Sequence, residues 1–233
     1  MSAINEGLMP SRDWKKINRK EDWLVGDTLN AGIGQGFVLT SPLQLAVMTA
    51  RIATGLMVEP RLVKAVNGVP QNVAPPEPLG ISDEFLRVVR RGMNAVINSR
   101  RGTAYSARIE DETKQMAGKT GTSQVRNIST TERAEGVTAN NDLPWEMRDH
   151  ALFVSYAPAD NPRLACVVVV EHGGGGSTAA APIGRDILLQ ALYEGTPPLE
   201  AYPANQRGEV RERQKELARV IEDSRAQPVA SRT

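Results

Sequence analysis

The sequence predicts an α+β fold. Three observations carry it: two helix patterns lie between Thr40 and Arg101, three strand patterns follow between Lys114 and Glu171, and a strand, a glycine turn and a helix close the patterned region at Leu192. A chain of 233 residues with 40% hydrophobic and 24% charged content can bury a core, as one large domain or two small ones. The 28 Lys and Arg against 27 Asp and Glu leave a net charge of +1, so no charge footprint points to nucleic acid or an anionic membrane.

The first helix pattern runs from Thr40 to Gly55, with a hydroxyl N-cap, Pro42 in the first turn and Gly55 at the end. It follows the loop Gly32-Ile33-Gly34-Gln35-Gly36. Residues Arg61 to Val66 read as a short strand, and Val69 to Leu79, which carries Pro70, Pro75, Pro76 and Pro78, reads as a loop. Ser82 opens the second helix. Its Phe85, Val89, Met93 and Val96 recur at three- and four-residue steps, with Asp83 and Glu84 at the positive amino end and Arg100 and Arg101 at the negative one.

The strand patterns are Lys114 to Gln124, His150 to Tyr156 and Arg163 to Glu171, the last too apolar along Cys166 to Val170 to have a wet face. Between the first two lies a long polar loop, Val125 to Asp149, of a length that is usually functional or mobile. After the third strand, Gly173 to Gly176 reads as a flexible turn, and Ala179 to Leu192 as a helix with Pro182 in its first turn. Arg207 to Ser224 alternates charge with sparse apolar positions, as a solvated helix does, and Ala226 to Thr233 has no pattern.

A membrane span needs roughly twenty apolar residues, and the longest strongly apolar run, Leu164 to Val170, falls far short. Met1 to Gly7 has neither the basic patch nor the apolar stretch of a secretory signal, so the chain stays in the cytoplasm or its addressing segment lies upstream. The single cysteine, Cys166, allows no internal disulfide and no cysteine metal cluster, and its Val-rich surroundings suit a buried small side chain.

The most informative motif is Lys119-Thr120-Gly121-Thr122, inside the first strand pattern. Side chains alternate along a strand, so Thr120 and Thr122 share one face, Lys119 and Gly121 the other, and Gly121 lets another chain approach the backbone. The result is a hydroxyl-lined edge with an ammonium beneath. Such an edge can pair with an extended peptide, hold its terminal carboxylate through two hydroxyls and a cation, and aim a backbone N–H at a developing oxyanion. The same residues also fit an ordinary amphipathic strand ending in a polar turn.

Other chemistries fit less well. In Gly32-Ile33-Gly34-Gln35-Gly36 the third glycine falls too early for a dinucleotide fingerprint and no buried strand precedes it; no G-x-x-x-x-G-K-[ST] pattern occurs anywhere. A hydrolase triad could draw on Ser123 or Ser177 with His150 or His172, but neither serine sits in G-x-S-x-G. Two histidines without a cysteine pair do not supply a zinc ligand set, and no metal or cofactor is expected.

Four segments, in order and spacing, resemble the class B penicillin-binding proteins: Gly26-Asp27-Thr28-Leu29-Asn30-Ala31-Gly32-Ile33-Gly34-Gln35-Gly36, Thr40-Ser41-Pro42-Leu43-Gln44-Leu45-Ala46, Lys119-Thr120-Gly121-Thr122-Ser123, and His150 to Pro158. Gly7-Leu8-Met9-Pro10-Ser11, Trp14-Lys15 and Trp23 are most similar to the branch of that class that serves cell-wall elongation. The resemblance implies a penicillin-binding transpeptidase / β-lactamase-like fold, an antiparallel sheet with helices on both faces. It implies a peptidoglycan D,D-transpeptidase, in which a serine attacks the D-Ala-D-Ala of a stem peptide, D-Ala leaves, and a neighbouring amine takes the acyl group; β-lactams trap the same serine. It implies that Lys119 assists the nucleophile's proton network and attracts the carboxylate, that Thr120, Gly121, Thr122 and Ser123 line the substrate, and that the Thr122 backbone N–H forms half the oxyanion hole.

The family's nucleophile lies in S-x-x-K and a second triad in S-x-N. No serine here has Lys three residues on or Asn two residues on; Ser82-Asp83-Glu84 comes nearest and opens a helix. The resemblance therefore implies a carboxy-terminal part of the transpeptidase domain over residues 1–200, with the first two strands and the nucleophile helix ahead of Met1, and a charged extension, partly helical or disordered, over residues 201–233. It further implies a parent protein at the inner membrane facing the periplasm, with stem peptides, β-lactams and elongation-machinery proteins as partners, and a chain that is marginally folded and inert on its own. The alternative is a non-catalytic module that holds stem peptides or a protein partner.

Overall fold

A strand with apolar residues at both odd and even positions must be covered on two sides, and His150–Ala157 is such a strand. In the computed structural model of the protein, which describes residues 6–71, 74–126 and 128–226, it forms β4 at the centre of an antiparallel sheet of order β3-β4-β5. Here β3 is Ala117–Ser123 and β5 is Leu164–Val170. A minor sheet, described below, pairs β1 (Ala65–Val66) with β2 (Val69–Pro70). Lys119 faces Val154, Thr120 faces Phe153 and Thr122 faces Ala151, while Ser155 faces Cys166.

Alternation splits the core in two. Ala151, Phe153 and Ala157 join Cys166 and Val168 on one face, under Leu188 and Leu189 of the helix Ala181–Tyr193. Val154 and Tyr156 join Ala117 on the other, under Ala53 of the helix Pro42–Thr54 and Met93 of the helix Asp83–Asn98. The molecule is thus an α+β fold with an antiparallel sheet and helices on both faces, as the resemblance implied.

In chain order the helices are α1 (Arg12–Arg19), α2 (Val25–Gly32), α3 (Pro42–Thr54), α4 (Asp83–Asn98), α5 (Thr130–Glu135), α6 (Ala181–Tyr193) and α7 (Arg207–Ala226). Ser41, not Thr40, caps α3: its hydroxyl accepts from the Gln44 N–H while the Gln44 side chain accepts from the Ser41 N–H. Ser82 caps α4 through the Glu84 N–H. The buried stripe of α4 is Leu86, Met93 and Ile97, whereas Phe85 and Val89 are exposed at 66% and 45%. Met93 is buried as the periodicity expected and Val96 packs partly buried against the main core, but the stripe runs on to Leu86 and Ile97 rather than to Phe85 and Val89, because the apolar arc of this helix is wide enough to offer two stripes.

Several segments depart from the sequence expectations. The short strand over Arg61 to Val66 is reduced to β1, which pairs in a hairpin with β2 at the start of the expected loop. Asn67 and Gly68 make its turn with φ of 50° and 80°, the left-handed pair that an Asn-Gly hairpin adopts. The polar excursion from Val125 to Asp149 contains α5, closed by a bidentate ion pair of Arg126 with Glu132 at 2.7 Å for each bond. In β5, Ala165 and Val169 are exposed, while Val167 between them packs against the cluster under α3, so the strand is covered on both faces and open to solvent only at those two positions. The charged helix α7 forms as expected, and Ala201, Tyr202 and Val210 ahead of and within it are buried in the main core cluster. The patternless tail from 227 onward lies outside the described residues.

The amino-terminal helices had no sequence expectation. Ser11 caps α1 by accepting from the Trp14 N–H. Lys15, 3% exposed, donates to Asp27 at 2.7 Å, and Asp27 also accepts from the Leu24 N–H at the start of α2. The Lys15 ammonium and the Leu24 N–H hold the Asp27 carboxyl below its usual range.

Candidate active site

β3 ends the sheet on one side, so one of its edges has no strand partner among the described residues. Lys119 and Thr122 are exposed on it; Thr120, Gly121 and Ser123 are half-buried. Register places the Thr120 and Thr122 side chains on the face of Phe153 and Ala151 and Lys119 on the face of Val154. The Lys119 ammonium donates to the Thr120 carbonyl at 2.6 Å, and no ion pair engages it among the described residues. A cation held by a carbonyl alone can take an anion without first surrendering a carboxylate.

Three further segments converge on the strand. The Thr103 and Thr120 hydroxyl oxygens lie 3.1 Å apart, and Thr103 stands on the tight turn after α4, where Gly102 N–H bonds to Ser99 and Ala104 N–H to Val96. Gln35, from the glycine loop after α2, donates its side-chain amide to the Thr122 carbonyl at 2.9 Å. Gly176 is pressed onto the sheet: a Cβ there would stand 2.3 Å from the Leu152 carbonyl oxygen and 2.5 Å from that of Gly121. The glycine run expected as a flexible turn is, at Gly176, a close contact that admits no side chain.

The two histidines meet at the Ser123 end of the strand, where Ser123 faces His150. His150 Nδ1 accepts from the His172 N–H at 2.9 Å, and His172 Nδ1 lies 2.9 Å from the Arg148 carbonyl, which requires the proton on that nitrogen. The rings stand edge to face 4.7 Å apart, with Trp145 against His172 at 4.4 Å. Both Nδ1 atoms are thus occupied by backbone, and the hydrogen bonds found among the described residues join neither imidazole to Ser123 or Ser177. The pair ties β4 to the turn after β5. Cys166 is buried in the core, which pushes its thiol up.

Of the residues singled out from the sequence, Lys119 to Ser123 lie together on one strand, as five consecutive residues must. Thr103 was not singled out, and Gln35 and Gly176 were named only as members of their glycine-rich runs. Gln35 and Gly176 carried a signal in their glycine-rich runs, since glycine marks close backbone approach, but nothing local told which backbone they would approach.

Comparison with known proteins identifies the architecture. Residues 6–189 match the penicillin binding protein transpeptidase domain. The chain is 36% identical over 203 residues to the peptidoglycan D,D-transpeptidase MrdA of Haemophilus influenzae, covering 83% of this chain and 30% of that protein. It is 38% identical over 187 residues to the MrdA of Acinetobacter baumannii, covering 77% of this chain and 26% of that one. Among solved structures it is similar to Pseudomonas aeruginosa PBP2 in complex with WCK 5153, with a TM-score of 0.64 and 36% identity over 87% of this chain and 42% of that one. It is also similar to Helicobacter pylori PBP2 in complex with MreC, with a TM-score of 0.64 and 33% identity over 81% of this chain and 31% of that one. The chain spans about 30% of the length of the Haemophilus relative. With the matched region running from the first described residue to the middle of α6, the chain belongs to the penicillin-binding protein transpeptidase family, among relatives of the class B type called PBP2 or MrdA.

Proposed function

We propose that this chain is the carboxy-terminal part of a peptidoglycan D,D-transpeptidase of the elongation type, and that the free edge of β3 is its stem-peptide groove. One observation carries the reading: Lys119, free of any acid partner among the described residues, lies beneath two threonine hydroxyls on an outer strand whose far edge has no strand partner among the described residues. Lys119 attracts the terminal carboxylate of D-Ala-D-Ala and belongs to the proton network of the nucleophile. The Thr120 and Thr122 hydroxyls bond that carboxylate, Gly121 and Ser123 line the groove, and the Thr122 N–H supplies half the oxyanion hole. Charge-assisted bonds of this kind are stronger than neutral ones and fix the peptide's register.

Acylation needs a serine activated by a neighbouring base, and the 233 residues contain neither S-x-x-K nor S-x-N. The chain alone therefore binds without acylating. Residues 1–200 belong to the transpeptidase domain, and 201–233 are a charged extension whose first part, Ala201, Tyr202 and Val210, is anchored in the core. The parent protein works at the inner membrane facing the periplasm, with β-lactams and an elongation partner as further ligands; a relative solved in complex with MreC supports the protein partner. In this chain, no helix among the described residues is long and apolar enough to cross a membrane.

The absence of both serine motifs also favours a second reading, a non-catalytic module that holds stem peptides or a protein partner. Intact-mass spectrometry after incubation with a penicillin tests the absence of a nucleophile. An unchanged mass is expected; a stoichiometric adduct would show that a serine of this chain is activated after all.

A further inference from the structure

We propose that Gln35 gates the β3 edge, its side-chain amide holding the Thr122 carbonyl that an incoming peptide's backbone N–H must take. The inference rests on the reading of β3 as the peptide groove.

An added strand binds an exposed edge through its main-chain N–H and C=O groups. Thr122 bonds through its carbonyl to a residue outside the sheet, which marks that carbonyl as facing the free edge. Gln35 Nε2 sits on it at 2.9 Å from 87 residues away in sequence. A primary amide carries the same donor as a peptide unit, so Gln35 fills one pairing position of the strand a substrate would add. Its placement is not accidental to the loop: the Gln35 backbone N–H donates to Asn30 in the last turn of α2 at 2.8 Å, and the side chain is half-buried.

Two consequences follow. The gated carbonyl belongs to the residue whose N–H is assigned to the oxyanion hole, and the two groups of one strand residue point to the same edge. Opening the gate and occupying the catalytic position are then a single event. A ligand with an N–H at this position exchanges one hydrogen bond for another, and a ligand without one gains nothing by displacing Gln35. Gln35 acts as a positioning residue and touches no reacting atom.

The test is an NMR titration of the isotope-labelled 233-residue chain with an acyl-D-Ala-D-Ala peptide, comparing the native chain with Gln35→Ala and Gln35→Met. The proposal expects both variants to bind about threefold or more tightly than the native chain, the worth of one net hydrogen bond. In the native chain it expects the Gln35 side-chain amide signals to move in step with the β3 backbone signals. Equal or weaker binding by the variants, with Gln35 signals that stay put while β3 shifts, overturns the gate and leaves the groove standing. A merely structural Gln35 would weaken binding when removed. If no β3 signal moves in any of the three chains, the groove reading fails and the gate falls with it.

Discussion

Thr103 and Lys119 illustrate how single side chains set the candidate groove. The Thr103 hydroxyl lies 3.1 Å from that of Thr120 and orients it, although Thr103 itself is exposed. Thr103→Val should weaken acyl-D-Ala-D-Ala binding by about threefold, one neutral hydrogen bond, while changing stability by no more than about 0.5 kcal/mol, as surface substitutions do; paired titration and chemical denaturation measure both. The ionisation of Glu132 is tied to local order. Its ion pair with Arg126 and its bond from the Thr138 N–H pull its carboxyl from 4.5 down to about 2. A carboxyl depressed in the folded state stabilises that state fully above its ordinary value and ceases to as pH falls through the depressed one. Protection of the Thr138 N–H, its exchange rate relative to that of an unstructured peptide at the same pH, should therefore hold down to about pH 4.5 and fall towards pH 2. Glu132→Gln should lower this protection at every pH; a native chain without this pH dependence would show that the pair does not hold the excursion closed.

Among the elements, the wide turn Gly176–Ala180 over β3 and β4 tolerates little change. Gly176→Ala puts a methyl 2.3 Å from the Leu152 carbonyl oxygen, so the turn or the strand must move. The expected loss is about 1–3 kcal/mol, the usual cost of overpacking, with disturbed β3 signals. Gly208→Ala, in α7 with open space around the new methyl, should be near neutral; equal effects of the two in denaturation would contradict the close contact. The sequence made β3 and its neighbours legible because the Lys119 motif and the apolar runs of β4 and β5 are local signals. It left α1 and α2 unread because each is only eight residues long, α1 is polar and the large apolar residues of α2 face solvent; the pair is held by the ion pair of Lys15 with Asp27 and by the Trp14 and Phe37 rings at 5.3 Å rather than by a buried apolar stripe. The hairpin at Asn67 and Gly68 did carry its turn signal, and the prolines after it drew the reading towards a loop. Gln35 and Thr103 act across 87 and 17 residues, a distance at which no spacing rule applies.

At the scale of the molecule, a sheet clothed on both faces coexists with bare apolar surface at the amino end. Val25, Leu29 and Ile33 lie four residues apart along α2 and its cap, 79%, 68% and 76% exposed, with Leu24 at 64% beside them. An apolar stripe of this kind favours association. The purified chain should self-associate in sedimentation velocity, and Val25→Gln with Leu29→Gln should shift it towards monomer; a native chain that stays monomeric would contradict this. The central claim, however, is that the β3 edge recognises a terminal carboxylate through Lys119. Its most direct test compares an acyl-D-Ala-D-Ala peptide with the same peptide amidated at its carboxy terminus, by NMR titration of the native chain and of Lys119→Ala. The account predicts that the free acid shifts the signals of Lys119 to Ser123 in the native chain, and that amidation or loss of the ammonium each weakens binding about tenfold or more, the scale of a charge-assisted bond. Equal binding of acid and amide, or shifts that leave β3 untouched, would contradict it.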